Sequence, residues 1–192
     1  MSTIKEKMEC LNEVDRFILL LAGANDQKAI PGPLWLQKEM YVLQNMYPEL
    51  EDDTDFEPYF LGPHSDIVQN EAEELKNSNL ITVEKGQIKL TNDGKKIFQL
   101  LKKQYDPKIE KISEFKEMLN DLPKNELLAF IYFSYPSPEE LEKESIEYQY
   151  LRPKRKQLAI SLFLKDKISA QKAAQIAGVN FQDFVENLKT VV

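Results

Sequence analysis

Basic side chains are concentrated in one segment of the chain. Between Arg152 and Lys172 the sequence holds seven basic residues and one acidic residue, although the formal net charge of the whole chain is -7. Side-chain amides follow at Asn180 and Gln182. Lysine and arginine neutralise phosphates, whereas asparagine and glutamine suit the readout of adenine in the major groove. The predicted DNA-binding residues are Arg152, Lys154, Arg155, Lys156, Lys172, Asn180 and Gln182.

Catalytic and metal-binding chemistry has little support in the sequence. The single Cys10 excludes an internal disulfide, and the single His64 removes most of the usual zinc sites and catalytic-base arrangements. His64 lies in a Gly-Pro-His-Ser turn, where a turn or packing role is expected. Carboxylates are plentiful, but the spacing of no pair implies acid-base work. We therefore predict a protein that is not an enzyme and has no metal site and no cofactor.

Six carboxylates and no basic residue lie between Glu49 and Glu57. A calcium-binding loop is one interpretation of such a run. The segment lacks the alternating ligands, the central glycine and the closing glutamate of an EF-hand. A solvated acidic loop is therefore the favoured interpretation.

The polar residues near the end of the chain lie on a predicted helix-turn-helix. Ser169 is a suitable N-cap for its first helix, and Gly178 can end that helix in the left-handed conformation. Phe181, Phe184 and Leu188 are the predicted buried stripe of the second helix. The same helix carries two acidic residues that would face phosphates if it entered a DNA groove. Packing or protein binding is therefore the alternative role of this helix pair.

The stretch from Tyr59 to Phe98 predicts the second half of a winged helix-turn-helix. Its pattern indicates a helix that opens at Ser65, a two-stranded hairpin that turns at Gly86, and a further helix that starts at Thr91. The first of these helices would be the recognition helix, but it carries four acidic residues and one basic residue. A structural or protein-binding role is therefore favoured over DNA reading.

The remaining elements are predicted to be helical. Apolar residues at three- and four-residue steps predict one helix from about Lys5 to Ala22, and a second begins at Pro33. The run Leu127 to Phe133 is apolar all round, which is typical of a buried helix. Residues 137–140 resemble a capping box.

The predicted fold class is mainly α with a small β-hairpin wing. The expected domains are a winged-helix domain over residues 1–104, a helical connector or core region over 105–151, and a basic helix with a helix-turn-helix over 152–192. The connector is expected to contain the buried apolar helix. The composition changes sharply at the last of these limits, where the basic segment begins.

Two segments resemble known families. The stretches LQKEMYVLQ and FEPYFLGPHSDIVQNEAEELKNSNLI, with the hairpin that follows, resemble the SocA-type or Panacea group of phage-associated antitoxin domains, which implies a winged helix in the first half. The segment KRKQLAISLFLKDKISAQKAAQIAGVNFQDFVENL, from about Arg155 to Leu188, resembles a small prokaryotic antitoxin-like helix-turn-helix family. Both resemblances imply toxin-antitoxin or regulatory biology, and neither implies a catalytic residue.

These observations predict a non-enzymatic, antitoxin-like regulatory protein. Its expected partner is another protein, such as a toxin, or a second copy of itself, and DNA is a further candidate for the helix-turn-helix. The alternative is an interaction or dimerisation module that binds no nucleic acid. The start of the sequence is charged and polar and does not resemble a signal peptide, and the longest apolar stretch is too short to span a bilayer. A cytoplasmic location without membrane contact is therefore expected.

Overall fold

The computed structural model describes residues 3–135 and 145–189. Within these ranges the chain is mainly helical with one small antiparallel sheet of two strands, which confirms the predicted fold class. The chain forms two compact units, and each is described by itself. Unit 1 comprises Met1–Glu57 and Pro63–Asp121, and unit 2 comprises Pro58–Gly62 and Leu122–Val192. The capping box predicted at residues 137–140 lies outside the described residues.

Unit 1 has the order of elements that defines a winged helix. A helix of 15 residues, a bridging residue, helices of 14 and 12 residues and a hairpin follow one another, and two further helices follow the hairpin. The bridging residue is Ile30, which pairs with Ile88 of the second hairpin strand. The elements are α1 (Ile4–Glu9), α2 (Glu13–Gln27), α3 (Pro33–Met46), α4 (Glu51–Thr54), α5 (Asp66–Asn77), β1 (Ile81–Glu84), β2 (Gln87–Leu90), α6 (Asn92–Gln104) and α7 (Asp106–Asn120).

Several predicted starts and turns of unit 1 are confirmed, because short-range hydrogen bonds define them. The Ser65 hydroxyl accepts a hydrogen bond from the Val68 amide at 3.0 Å and caps α5. Thr91 caps α6 in the same way. Pro33 is the first residue of α3. Gly86, with a φ of 81°, lies in the turn between β1 and β2.

The single helix predicted from Lys5 to Ala22 is wrong. The structure has two helices there, because Asn12 starts α2 as a new helix. The Asn12 side chain accepts a hydrogen bond from the Asp15 amide at 2.8 Å, and the Asp15 carboxylate accepts one from the Asn12 amide at 3.2 Å. This reciprocal cap satisfies amide groups that a helix start leaves without partners. The apolar spacing continued across the break and concealed it.

The acidic run is more ordered than the predicted loop. A 3-10 turn at Pro48–Leu50 leads into α4, and Leu50 and Thr54 are buried. All six carboxylates of the run are nevertheless exposed. The buried Leu50 and the Thr54 hydroxyl, which donates a hydrogen bond to the Gln44 side-chain oxygen of α3 at 2.7 Å, hold the segment against the rest of unit 1. The prediction that the carboxylates are solvated is confirmed, whereas the prediction of a loop is wrong for residues 48–54.

The charged side chains of Lys38, Glu39 and Lys116 are buried inside unit 1. The Lys38 ammonium donates to the Pro63 carbonyl oxygen at 2.6 Å, and the Lys116 ammonium donates to two backbone carbonyls of α2 at 2.9 and 3.2 Å. Among the described residues, no group donates a hydrogen bond to either carboxylate oxygen of Glu39. Burial raises the pKa of Glu39 to about 8, although the charge of Lys116 opposes this rise. Sequence periodicity gave no sign of these buried charges.

Unit 2 is built around a helix that is buried along most of its length. Its elements are α8 (Lys124–Ser134), α9 (Ile146–Leu151), a 3-10 turn (Arg152–Lys154), α10 (Arg155–Leu164), α11 (Ala170–Ala177) and α12 (Phe181–Lys189). Every residue of α8 from Glu126 onward is buried, which confirms the prediction for the apolar run. Helices α10 and α11 both pack against α8.

The limits of the two units differ from the three segments expected from the sequence. Helix α7 belongs to unit 1, whereas α8 and the basic segment belong together to unit 2. The domain limits that the sequence predicts near residues 104 and 151 stay predictions. Within residues 3–135 and 145–189, no helix combines the length and the apolar character needed to cross a membrane.

Candidate nucleic-acid and protein interface

The predicted helix-turn-helix is present in unit 2. The Ser169 hydroxyl accepts a hydrogen bond from the Lys172 amide at 3.2 Å and caps α11. Gly178 ends that helix in the left-handed conformation, with φ 72° and ψ 35°. Phe184 of α12 is buried and meets the ring of Phe163 edge-on, with 6.0 Å between the ring centroids. The predicted cap at Ser169, the left-handed Gly178 and the burial of Phe184 are therefore confirmed.

The predicted buried stripe of α12 is wrong at its first residue. Phe181 is 45% exposed, whereas Phe184 is 1% exposed and Leu188 is half-buried. Phe181 is the first residue of α12, and this helix packs chiefly against α11. Because one neighbouring helix covers only a narrow face, the Phe181 side chain is left in solvent.

Arg155 supports the helix-turn-helix from within unit 2. Its Nε donates a hydrogen bond to the Ile176 carbonyl oxygen at 2.6 Å, and its Nη2 donates one to the Gln175 carbonyl oxygen at 3.1 Å. These carbonyls belong to the last turn of α11, where a positive charge is favourable. The guanidinium also lies 4.5 Å from the centroid of the Phe133 ring. Binding of phosphate by Arg155 would therefore compete with the contacts that hold α11 in place.

Two further predicted residues have structural contacts. The Lys172 ammonium donates to the Gln175 side-chain oxygen at 3.2 Å and lies 5.7 Å from the Phe130 ring centroid. Burial lowers the pKa of Lys172. The Asn180 side-chain oxygen accepts a hydrogen bond from the Asp183 amide at 2.8 Å, and its amide donates to the Asp183 carboxylate at 2.7 Å. Asn180 therefore caps α12 and presents little hydrogen-bonding capacity to a base edge.

The other four predicted residues are more open. Arg152, Lys156 and Gln182 are exposed. Lys154 is half-buried, and its ammonium lies 3.3 Å from the centroid of the Tyr150 ring. The sequence pattern could not separate these residues from Arg155, because the partners of Arg155 lie about twenty positions along the chain.

A shallow groove of about 420 Å³ runs between Lys156 and α12. Besides Lys156, its lining residues include Asp183, Glu186 and Asn187. The groove thus contains two carboxylates and one ammonium. Carboxylates at this position would repel the phosphates that line a DNA groove, whereas they would attract basic groups on a protein surface.

A second groove, of about 440 Å³, lies in unit 1 beside α5 and was not predicted from the sequence. Its walls come from α1, the start of α2 and α5, and its carboxylates include Asp15, Glu71 and Glu74. The only local signal was the Asn12 capping box, which places Asp15 near the start of a helix. The burial of Asp15 beside the carboxylates of α5 depends on tertiary packing, which the periodicity of the sequence does not indicate.

Comparison of the chain with protein-family models, with curated proteins and with solved structures found no significant match. The resemblances to antitoxin families accordingly stay predictions. Among the described residues, no group of three or more histidine, cysteine, aspartate or glutamate side chains could hold a metal ion.

Proposed function

We propose that this chain is a non-enzymatic regulatory protein of antitoxin type, which acts in the cytoplasm by binding a protein partner. One observation carries the proposal: the helices that would enter DNA in the two helix-turn-helix motifs are both acidic. Helix α5 carries four acidic residues and one basic residue, and α12 carries two acidic residues and one basic residue.

The charge of these helices favours a basic partner over a nucleic acid. The four acidic residues of α5 are exposed or half-buried, so their charges act on whatever approaches this face. Like charges that face each other across an interface weaken binding by roughly several kcal/mol, whereas complementary charges steer the approach of a partner and fix its register. The resemblance of the first half, and of the segment from about Arg155 to Leu188, to antitoxin families agrees with a protein partner such as a toxin.

Affinity purification from the native host tests this proposal. The tagged chain, treated with nuclease, is compared with the double variant E71K/E74K, which reverses two charges of α5. The matched control is K102E/K103E, which reverses two exposed charges of α6. We expect a protein to co-elute in fixed stoichiometry with the wild type and the control, but not with E71K/E74K. Recovery of nucleic acid without any protein, in samples left without nuclease, would contradict the proposal.

Duplex DNA is the second candidate partner, through unit 2. It is favoured by the exposure of Arg152, Lys156 and Gln182 beside a correctly formed helix-turn-helix. If these side chains bind DNA, affinity falls steeply with salt, because each neutralised phosphate releases a counterion. Fluorescence anisotropy with a labelled duplex should then show weaker binding by R152E/K156E than by the wild type. Equal affinity of the two proteins would exclude this surface.

A dimerisation module that binds no nucleic acid remains the alternative to both. Sedimentation velocity at several protein concentrations distinguishes it, since self-association raises the sedimentation coefficient with concentration. A monomer at every concentration would exclude it.

A further inference from the structure

We propose that the solvent face of α6 binds the phosphate backbone of duplex DNA without reading its sequence. The side chains of this surface, which we call the lysine face, lie within about one third of the helix circumference. They are Asn92, Lys95, Lys96, Gln99, Lys102 and Lys103. The inference goes beyond the proposed function, because it adds a nucleic-acid surface on unit 1 that involves neither helix-turn-helix.

The core of unit 1 fixes the orientation of the lysine face. Ile97, Phe98 and Leu101 of α6 are buried, and the helix packs against α1, α2, α7 and β2. Gly94 allows a close approach on the same side, since an added Cβ would lie 2.0 Å from the Leu80 carbonyl oxygen. The lysine face is centred on the opposite side of the helix. Packing of the apolar side therefore keeps the lysines in solvent.

The lysine face carries positive charge and no carboxylate. All four of its lysines are exposed. Asp93, the acidic residue of α6, lies outside the face, where its carboxylate accepts hydrogen bonds from Lys96 and from a lysine of α1, each at 3.2 Å. Within the described part of the chain, no ion pair joins Lys95, Lys102 or Lys103 to a carboxylate. These three ammonium groups are therefore open to an anionic ligand.

The spacing of the lysines suits a ligand whose charges repeat at short intervals. Lys95 and Lys102 are seven residues apart, as are Lys96 and Lys103, so each pair extends over about 10 Å of the helix axis. Duplex DNA carries one phosphate per about 1.7 Å of its axis, so several phosphates lie within that distance. Gln99 lies between the members of each pair and can donate a further hydrogen bond to a phosphate oxygen.

Other anionic partners fit the lysine face less well. Lysine is depleted in the buried centre of protein interfaces, whereas aromatic residues, which this face lacks, are enriched. An anionic membrane would require an apolar surface, but the apolar side of α6 is buried, and Leu100 is the one exposed large apolar side chain of this fully described helix. A single strand would gain little, because no aromatic ring of the face offers a stacking surface to unpaired bases.

Fluorescence anisotropy with a labelled duplex of arbitrary sequence, at a series of salt concentrations, tests the proposal on the full chain. K102Q/K103Q removes two exposed charges of the face without reversing them. We expect this variant to reduce the steepness of log K against log salt by about 1.8, because each lost phosphate contact contributes about 0.9. At about 50 mM salt it should bind the duplex at least roughly tenfold more weakly than the wild type does.

Two controls locate the effect. K85Q/K111Q removes two exposed lysines of unit 1 that lie outside the face, and it should bind the duplex as the wild type does. R152E/K156E alters the basic segment of unit 2, and in this background K102Q/K103Q should still weaken binding. Amide NMR spectra of each variant establish that it is folded.

Three results would overturn the inference: an unchanged salt dependence in K102Q/K103Q, an equal loss of affinity in K85Q/K111Q, or no remaining DNA binding in R152E/K156E. Tighter binding of a single strand of the same length would also overturn it. Its failure is distinguishable from failure of the proposed function. Recovery of a protein partner by a chain that binds no DNA would refute this inference only, whereas DNA binding without any recovered partner would refute the proposed function only.

Discussion

Replacing Arg155 by methionine separates a structural role of this residue from a phosphate-binding role. Methionine keeps the length and the apolar stem of the side chain but removes the guanidinium. The variant loses the hydrogen bonds to the Ile176 and Gln175 carbonyl oxygens and the contact with the Phe133 ring. If Arg155 supports the helix-turn-helix, the loss appears in the stability of the free protein.

The structure sets the size of the expected effect. The half-buried hydrogen bond at 2.6 Å contributes about 1.5 kcal/mol, the more exposed bond at 3.1 Å about 0.5 kcal/mol, and the cation-π contact about 0.5 kcal/mol. We therefore expect R155M to lower the free energy of unfolding by about 2–3 kcal/mol. With a urea m-value of about 2 kcal/mol/M, the midpoint would fall by about 1 M.

Urea unfolding followed by far-UV circular dichroism is the appropriate assay. Trp35, the single tryptophan, lies in unit 1, so its fluorescence does not report directly on unit 2. The matched control is R152M, because Arg152 is exposed and its removal should change stability by less than about 0.5 kcal/mol. Equal midpoints for R155M and R152M, together with a selective loss of duplex DNA affinity in R155M, would refute the structural role.

Three further changes test the fold and its buried charge. G178A should destabilise the protein more than G86A, by about 1 kcal/mol or more in urea unfolding. Both glycines have a positive φ, but only at Gly178 would an added Cβ lie 2.6 Å from a neighbouring atom, the guanidinium carbon of Arg155. F184A should cost about 3–5 kcal/mol in the same assay and F181A less than about 1 kcal/mol, and similar losses would contradict the exposure of Phe181. Folding raises the pKa of Asp15 from 3.8 to about 7, so the stability of the wild type falls as the pH rises between these values. D15N should remove that fall. Denaturation at both pH values should therefore show D15N to be more stable than the wild type by about 2 kcal/mol at pH 8 but not at pH 4.

The features that could be predicted from the sequence are those that neighbouring residues determine. Ser65, Thr91 and Ser169 cap their helices through amides three residues further along, so the local pattern suffices. The conformation of Gly178 likewise depends on the turn that contains it. The order of these local elements was enough to indicate a mainly helical fold with a small hairpin.

The features that escaped prediction depend on residues distant in the chain. Lys38 and Glu39 lie on α3, where buried residues occupy consecutive positions from Leu36 to Met40, so the usual rule that charged residues face solvent fails. Lys116 finds its acceptors on α2, more than ninety residues earlier in the chain. Arg155 looked like a phosphate ligand because basic residues surround it, and only the placement of α11 shows its contacts.

The pairing of Ile30 with Ile88 also bears on how unit 1 folds. The amide of each residue donates a hydrogen bond to the carbonyl oxygen of the other, at 3.0 and 2.9 Å. Helices α3 and α5 lie between the two residues in the sequence. Closing so long a loop carries an entropic cost before the contact forms, so this pairing should appear late, after the intervening helices are in place. The Ile88 amide should then exchange its hydrogen with solvent only through global unfolding of unit 1, which makes it a single-residue reporter of that event.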